Sequence, residues 1–571
     1  MNPAEPVGNW RVMSPTSYQA APPRESIIAD ARDAVKSPNR AAAECLPLAR
    51  LLECDRLWRS FILGQTSVKK IFCYACLLVG SLLCSDVRGL KAQAAPPLEV
   101  VEVDTQAPSH PFPHFWEQMF GSGRAILTLR QSYRDDLREV KSITDFQYVR
   151  FHAIFHDEVG FYDEDALGNP VYNFSYVDQI YDGLLQNHVR PFVELSFMPK
   201  KLAAANNLHA FWYKQNVSPP KDYDRWGAMI SAFAKHLVDR YGIEEVSKWY
   251  FEVWNEPNID FWTGDPKEAT YYHLYDVTAA ALKSVSPRLR VGGPATAQAA
   301  WVDRFIRHCA DNNVPVNFVS THVYGNDTPH DVFGTDKPIP LNKMICNAVD
   351  KVHKQIQSSA KPDLPLIWSE VNAVYNNNTK VEDSAFMGPW LADTIRQCDG
   401  LVSIMSYWTF SDVFEEQGVI KEPFYGGFGL LAEGGVPKPI FNAFKLMHHL
   451  GDQRIDVASD SMLVTRRADG SLALAVWNFS LPDDPGHTVN MTIHLKQLKT
   501  EGHAEISEVD AEIGSPLPAY HAMGDPASPT LQEYAELKKA AELPPVHSEK
   551  IKNGTIDLTL PPKSLFLIEI R

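Results

Sequence analysis

Apolar runs alternate with amphipathic segments along most of the chain. Between about residues 110 and 450, the longer segments carry apolar residues three and four positions apart, the spacing of one helix face. One of them, WGAMISAFAKHLVDRYG at residues 226–242, ends at a glycine, where helices commonly stop. The apolar runs between the helical segments predict eight strands, within residues 112–128, 148–154, 190–197, 249–254, 290–294, 318–324, 364–371 and 402–410. Eight strand–helix repeats over about 340 residues predict a parallel (β/α)₈ barrel.

A doubly wound open sheet is the alternative α/β fold with the same rhythm. Such sheets usually carry a glycine-rich phosphate loop with the spacing G-x-G-x-x-G after their first strand. The stretch FGSGRA at residues 120–125 lacks that spacing, so the barrel is favoured.

The pattern changes after about Gly451. Short alternating stretches such as LALAVWNFS and HTVNMTIHL are separated by turn residues, which predicts a β-sandwich over residues 452–571. The barrel is then expected within residues 95–451. Residues 98–104, LEVVEVD, form an additional strand candidate that could pair with the sandwich from before the barrel.

Residues 1–94 differ from the rest and are predicted to be a leader. Two lysines at 69 and 70 precede fourteen uncharged residues, 71–84, and Ala-Gln-Ala follows at 92–94, which is the order of a secretory signal peptide. Fourteen residues are too few for an ordinary membrane span, although a short anchor or a buried helix remains open. A signal peptide at about residues 69–94 predicts a secreted or periplasmic protein without a membrane span after processing. Because a signal peptide stands at the start of a chain, its position also predicts a translation start near residues 57–68 rather than at Met1.

The charge balance excludes one class of partner. With 70 acidic against 54 basic residues, the formal net charge is -16, whereas binding to phosphate backbones needs clustered Lys and Arg. Nucleic acid is therefore not an expected partner. Aromatic residues make up 11% of the chain, which is compatible with stacking on sugar rings. The oligomeric state does not follow from the sequence.

Cysteine usage indicates neither a zinc site nor a disulfide framework. Outside the leader the chain keeps only Cys309, Cys346 and Cys398, widely spaced and without a C-x-x-C pair. One disulfide among them remains open, and its pairing does not follow from the spacing. No H-E-x-x-H motif indicates a metal and no G-x-S-x-G motif indicates a serine nucleophile, so we expect no metal and no cofactor.

Two carboxylates stand directly after predicted strands. The fourth strand ends in YFEVWNEPN, residues 250–258, with Glu256 near its end, and the seventh ends in IWSEVN with Glu370. In a (β/α)₈ barrel the chemistry lies at the C-terminal ends of the strands, so both acids are expected at one mouth. Polar and aromatic residues at the other strand ends would line that mouth: Arg150, His152, Glu194, Asn255, His322, Tyr324, Asn372, Tyr407, Trp408, Ser411 and Asp412.

Two facing carboxylates are what cleavage of a glycosidic bond requires. The leaving oxygen must be protonated, and the oxocarbenium-like carbon must be attacked or stabilised. Taken singly, each acid is equally well explained as a polar strand end that hydrogen bonds within a turn. The pair, surrounded by His, Asn, Tyr and Trp, favours a glycosidase with a carbohydrate substrate.

The two acid motifs also resemble those of a known group of enzymes. VWNEPN and WSEVN are similar to the acid/base and nucleophile motifs of the clan A retaining glycosidases. Within that clan the chain resembles glycoside hydrolase family 39, which contains β-xylosidases and α-L-iduronidases. The likeness runs from about residue 98 to residue 560, and FWYKQNVSPPKDYDRW at 211–226 favours the xylosidase branch. Its other supporting stretches are residues 150–162, 176–199, 291–297 and 406–418.

The resemblance implies a role for each candidate residue. Glu256 would be the general acid/base, with a pKa raised largely by the charge of Glu370, and Glu370 would be the nucleophile. Asn255 would hold the sugar 2-hydroxyl, and Tyr324 would donate to Glu370. The remaining residues expected to contact substrate are His152, His322, Trp408 and Trp262, with Phe261 beside Trp262 at the entrance.

The expected activity is the release of terminal β-D-xylose from xylo-oligosaccharides by a retaining, two-step mechanism. A related glycosidase for another terminal sugar, iduronidase-like or arabinosidase, and a barrel that binds carbohydrate without cleaving it remain open. The chain departs from the family's pattern at Ala153, where glycine is expected, and at Asp157 and Glu158, which replace an expected Asp-Asp. The loop after the second strand is therefore expected to meet the sugar differently.

Overall fold

The computed structural model describes residues 97–498 and 502–570. The predicted leader, its signal peptide and the alternative translation start lie outside these residues. Among the described residues, no helix has both the length and the apolar character needed to cross a membrane.

Eight parallel strands close into a barrel, which confirms the predicted (β/α)₈ fold. Each strand pairs with the next one along the chain, and the eighth pairs with the first. In chain order the barrel strands are Met119–Gly121, Tyr148–Phe151, Arg190–Glu194, Tyr250–Glu252, Arg290–Thr296, Phe318–His322, Leu366–Val371 and Ile404–Tyr407.

The helices follow the amphipathic segments, and Tyr223–Tyr241 shows why they form. The Asp222 carboxylate accepts a hydrogen bond from the backbone N–H of Arg225 at 3.0 Å, which satisfies a donor that the first turn leaves unpaired. The helix ends at Gly242, whose φ of 79° suits glycine. Its buried face consists of Trp226, Met229, Ile230, Phe233, Ala234 and Leu237. Burying each large apolar side chain stabilises the fold by about 1.5–3 kcal/mol.

The other α-helices that accompany the barrel vary in length from one turn to five. They are Gln131–Ile143, Ser175–Gln186, Ile243–Val246, Lys267–Val285, Val302–Asp311, Pro329–Phe333, Leu341–Gln357, Thr379–Glu382, Met387–Cys398 and Pro439–His448. Two 3₁₀ turns, Ala125–Leu129 and Ala297–Ala299, follow the first and fifth barrel strands. Cys346 and Cys398, on two neighbouring helices, form a disulfide, while Cys309 is buried and has no disulfide partner among residues 97–498 and 502–570.

The barrel interior changes character along its axis. Side chains two residues apart on a strand point to the same side, so each strand places one inward residue above another. At the N-terminal ends these are apolar or aromatic and pack together, as Phe192 does with Tyr250 and Phe318. Two residues further along the same strands stand Glu194 and Glu252. An apolar floor therefore supports a charged layer directly beneath the C-terminal mouth.

An antiparallel β-domain accompanies the barrel, as predicted. Its larger sheet has seven strands in the order Ser109–Pro111, Gln453–Ile455, Met462–Arg466, Leu472–Asn478, Ser564–Ile570, His503–Val509 and His547–Lys550. Its smaller sheet has three, Leu98–Asp104, Val489–Lys496 and Thr555–Leu560. The candidate strand before the barrel thus pairs with this domain, in parallel with Val489–Lys496.

The two sheets share one apolar core, to which the alternating inward residues of both contribute, including Val101, Val103, Leu474, Ile493 and Ile568. Two short hairpins and two further helices complete the fold. They are Tyr162–Glu164 with Pro170–Tyr172, Leu431–Ala432 with Val436–Pro437, Leu517–Ala522 and Leu531–Ala540.

Candidate active site

A cavity of about 360 Å³ lies at the C-terminal ends of the barrel strands. The structure brings seven of the sequence-predicted site residues to its wall: His152, Asn255, Glu256, His322, Tyr324, Glu370 and Trp408. They come from the second, fourth, sixth, seventh and eighth strands, so residues more than 250 positions apart in the chain meet in one place.

Trp262 is placed differently from the expectation. Its indole is fully buried, packs edge-on against Trp254 with ring centroids 5.0 Å apart, and donates to the hydroxyl of Thr270 at 3.0 Å. Its neighbour Phe261 lines the cavity instead. Trp262 supports the wall from behind, because its N–H finds a partner away from the cavity.

Both oxygens of Glu370 accept a short hydrogen bond. Arg150 Nη1 donates to Oε1 at 2.6 Å, and the Tyr324 hydroxyl donates to Oε2 at 2.6 Å. Hydrogen bonds that involve a charged partner are the strong ones, and donors aimed at a carboxylate stabilise its ionised form. These two hydrogen bonds hold the Glu370 carboxylate in one orientation.

Arg150 ties several polar residues of the mouth together. Besides Glu370, its guanidinium donates to Glu252 at 2.6 Å, to the side-chain oxygen of Asn255 at 2.9 Å and contacts Glu194 at 2.7 Å. The sequence placed Arg150 at a strand end but assigned it no role. A fully buried guanidinium must be paired, and here the carboxylates of three different strands surround it.

Glu256 faces Glu370 from the opposite side of the cavity. One carboxylate oxygen of each, together with a ring nitrogen of His322, lie within 4.8 Å of one another. The backbone of Glu256 has a φ of 43°, and its N–H donates to the carbonyl of Ala295 at 2.7 Å, which ties it to the neighbouring fifth strand. Burial, and after it the charge of Glu370, raises the pKa of Glu256 well above its usual range. The raised pKa agrees with expectation, but burial outweighs the neighbouring charge.

His152 joins the site to a residue that sequence reasoning missed. Its Nδ1 lies 2.7 Å from Glu194, and its Nε2 lies 3.6 Å from Glu416, which also lines the cavity. Burial raises the pKa of Glu416 to about 8. The signal was the acidic pair in VFEEQG after the eighth strand, within a stretch already noted for its family resemblance.

The loop that carries Glu416 is clamped by Arg124. Arg124 donates to Glu158 at 2.8 Å and to Glu415 at 3.2 Å, and its guanidinium lies over the ring of Trp212 at 5.5 Å. The Trp212 backbone N–H in turn donates to the carbonyl of Glu416 at 2.8 Å. These contacts hold the loops after the second, third and eighth strands together at the rim.

Two backbone positions explain details of the sequence. A Cβ on Gly121 would lie 2.0 Å from the ring of Trp408, so only glycine lets this indole pack against the first strand. Ala153 has a φ of 73°, in the left-handed region that favours glycine. That conformation gives a physical reason for the glycine expected at this position from the family pattern.

Among the described residues, two sets of three side chains each bring their potential metal-ligand atoms within 4.8 Å of one another. Glu256, His322 and Glu370 form one, but the Arg150 guanidinium on Glu370 disfavours a second cation there. The other set consists of His114, Glu117 and His448. Both histidines contact Glu117 through Nδ1, at 2.6 and 2.8 Å, and these hydrogen bonds account for the group without an ion.

Comparison with known proteins places most of the chain in one family. The family model described as glycosyl hydrolases family 39 matches residues 99–553. A β-xylosidase of Geobacillus stearothermophilus is 38% identical over 467 residues, which cover 80% of this chain and 92% of the relative. A β-xylosidase of Caldicellulosiruptor saccharolyticus is 34% identical over 474 residues, covering 80% and 95%.

A solved structure shows the same likeness in three dimensions. The crystal structure of a monomeric β-xylosidase from Caulobacter crescentus CB15 superimposes with a TM-score of 0.76 at 34% identity, covering 83% of this chain and 99% of that one. The match of fold, length and sequence spans both the barrel and the β-domain. The chain therefore belongs to glycosyl hydrolase family 39.

Proposed function

We propose that this glycosyl hydrolase is a retaining β-xylosidase in which Glu370 is the nucleophile and Glu256 the general acid/base. The proposal rests on the different environments of two facing carboxyl groups. Glu370 accepts from Arg150 and Tyr324, which favours the anion, whereas Glu256 is buried beside that anion, which favours the neutral acid. Pairs of carboxyl groups whose environments push their pKa values apart mark the acid and the nucleophile in glycosidases.

The spacing of the two acids supports a retaining mechanism. Retaining enzymes hold their carboxyl groups about 5–5.5 Å apart, whereas inverting enzymes leave roughly 6.5–9.5 Å to admit a water between acid and sugar. Oxygens of Glu256 and Glu370 lie within 4.8 Å of one another, which is closer to the retaining than to the inverting separation.

The reaction then runs in two steps. Glu256 donates its proton to the glycosidic oxygen while Glu370 attacks the anomeric carbon, forming a glycosyl-enzyme ester and releasing the aglycone. Glu256, now ionised, takes a proton from water, which attacks the same carbon and returns Glu370 as a carboxylate. The oxygen of Asn255 is occupied by Arg150, which leaves its amide nitrogen to donate to the sugar 2-hydroxyl.

Two observations support xylose and an exo-acting mode. The relatives that match most of this chain are named β-xylosidases, at 38% and 34% identity. The cavity of about 360 Å³ is near the lower end of ligand pockets, which span roughly 300–1,000 Å³, so it suits one or two sugar rings at a chain end.

A panel of 4-nitrophenyl glycosides tests the substrate. We expect the highest kcat/KM on the β-xyloside, compared with the arabinoside, glucoside and iduronide, and an NMR spectrum in which the first-formed xylose is the β anomer. Higher turnover of another sugar would overturn the substrate but leave the two-carboxylate mechanism in place. An α anomer as first product would overturn the mechanism.

Tyr324→Phe should lower kcat/KM by about ten- to a hundredfold. The change removes the hydrogen bond to Glu370, and a hydrogen bond to a charged group contributes about 1.5–3 kcal/mol. Tyr375→Phe is the matched control, because Tyr375 also lines the cavity but its ring only packs edge-on against Tyr324. Equal rates in the wild type and Tyr324→Phe would show that Tyr324 has a structural role only.

We also propose that the protein is exported. The Cys346–Cys398 disulfide supports this, since structural disulfides persist mainly in oxidising compartments. N-terminal sequencing of the mature protein is expected to read from Ala95, and a terminus near Met1 would contradict export through the predicted signal peptide.

A further inference from the structure

His322 stands between Glu256 and a second, deeper pair of polar residues. Its Nδ1 lies 3.0 Å from Oε1 of Glu256, and its Nε2 lies 3.0 Å from the hydroxyl of Ser369. The Ser369 hydroxyl also lies 2.7 Å from Oε1 of Glu252. All four side chains of this row are buried, so their polar groups depend on hydrogen-bond partners within the protein.

The direction of these hydrogen bonds can be worked out from the inner end. Burial raises the pKa of the Glu252 carboxyl group. Arg150 Nε nevertheless donates to its Oε2 at 2.6 Å, and an arginine stays charged in proteins, so we assign Glu252 as the anionic partner of this cation. An ionised carboxylate can only accept. The single hydroxyl hydrogen of Ser369 is therefore donated to Glu252.

The state of His322 follows from that of Ser369. Having given its hydrogen to Glu252, the Ser369 oxygen can only accept from His322, so Nε2 carries the hydrogen. Burial, and after it the charge of Arg150, lowers the pKa of His322 well below its usual range, so the ring is neutral. A neutral ring with a hydrogen on Nε2 has a bare lone pair on Nδ1.

Two carboxyl groups lie near that lone pair, and Glu256 is the closer, with its Oε1 at 3.0 Å against 3.6 Å for Oε1 of Glu370. A contact of 3.0 Å between a bare nitrogen and a carboxyl oxygen is a hydrogen bond only if the oxygen carries the proton. We propose that the row Glu252–Ser369–His322 fixes the proton on Glu256 in the free enzyme, with Ser369 and Glu252 acting as positioning residues. This inference rests on the proposed role of Glu256 and adds how the acid is kept protonated until a glycosidic oxygen competes for its proton.

The row acts alongside the charges that surround Glu256. Glu370, Asp327 and Glu416 oppose its ionisation, and Arg150 favours it. Those charges act on the carboxyl group as a whole, whereas the row selects one tautomer of His322. Reversing that tautomer would turn Nδ1 from an acceptor for Glu256–H into a donor to the ionised carboxylate. The effect of the row on the protonation of Glu256 can therefore be distinguished from the effect of the surrounding charges.

Ser369→Ala tests the row through the pH profile of kcat/KM on xylobiose, whose leaving alkoxide needs the proton of Glu256. Without the hydroxyl, His322 is free to carry its hydrogen on Nδ1 and to donate to ionised Glu256. The alkaline limb of the profile should then move to lower pH by about one unit. Ser369→Thr keeps a hydroxyl and should restore the wild-type limb.

The matched control is Ser406→Ala, which removes a buried hydroxyl of the eighth strand that has no hydrogen-bond partner among the described residues. It should leave the limb in place. An unmoved limb in Ser369→Ala, or an equal shift in Ser406→Ala, would overturn the proposal. The Glu256→Ala profile separates this failure from failure of the proposed function: if Glu256 is not the acid/base, the alkaline limb survives its removal.

A second measurement covers the case in which Ser369→Ala fails to fold. The wild type labelled with ¹⁵N-histidine, with the His322 resonances assigned by their loss in His322→Gln, should show a neutral ring protonated on Nε2. Protonation on Nδ1 would contradict the proposed hydrogen bond from Glu256 to His322.

Discussion

Glu370→Ala is expected to lower turnover by roughly 10⁴–10⁶-fold, the range seen when a nucleophile or its activating partner is removed from a hydrolase. The loss follows because no glycosyl-enzyme ester can form. It also leaves the Arg150 guanidinium, now without one of its carboxylates, facing the anomeric carbon. The measurement is steady-state kcat on 4-nitrophenyl β-xyloside, with the melting temperature as a check on folding.

Azide distinguishes the nucleophile from every other role. In Glu370→Ala the ion fits the space of the lost carboxylate and should attack from that side, partly restoring turnover and yielding the α-xylosyl azide, of inverted configuration. Azide should leave the wild type unchanged. Formation of the β-xylosyl azide would mean that Glu370 is the acid/base, and turnover near that of the wild type would remove it from catalysis.

Glu256→Ala should discriminate between leaving groups. General acid–base catalysis contributes about 10²–10⁴-fold, so xylo-oligosaccharides, whose leaving alkoxide needs a proton, should lose that factor. The leaving group of an activated aryl xyloside departs as an anion, so this substrate should still form the ester. Hydrolysis of that ester then lacks its base, so a rapid burst of nitrophenol should precede a slow steady state. Equal losses on both substrates would contradict the acid/base role.

The pH dependence follows from the raised pKa of Glu256. A group that must donate a proton is active below its pKa, so the rate of the wild type should fall as pH rises through the raised value. The alkaline limb should be absent in Glu256→Ala, where azide is expected to yield the β-xylosyl azide through attack from the vacated side. Persistence of the wild-type alkaline limb would assign it to another residue.

The sequence by itself determined the barrel and the two acids, for physical reasons that act over short distances. Alternating apolar runs and amphipathic segments define strands and helices locally, and eight such repeats leave few folds open. Glu256 follows the strand Tyr250–Glu252 by four residues, and Glu370 lies at the end of the strand Leu366–Val371, so both lie at one mouth because all barrel strands run parallel. The residues beside them, including Asn255 and Tyr324, come with the same strand ends.

Tertiary structure decided what depends on side chains meeting across strands. Arg150 sits two residues before His152 on one strand, yet its partners lie on three others. The role of Glu416 depends on a loop held by Arg124, 292 positions earlier in the chain. Trp262 and Phe261 are adjacent aromatics, and Phe261 lines the cavity while Trp262 packs on Trp254 and donates to Thr270.

The same distinction holds outside the site. The strand Leu98–Asp104 finds its partner nearly 400 residues later, and the Cys346–Cys398 bond forms because two helices pack side by side. Periodicity specifies which face of an element is apolar, but not which element covers that face. The placement of the proton on Glu256 depends most strongly on tertiary contacts. It depends on hydrogen bonds through His322 and Ser369 to Glu252, and the direction of each is set by the next group in the row.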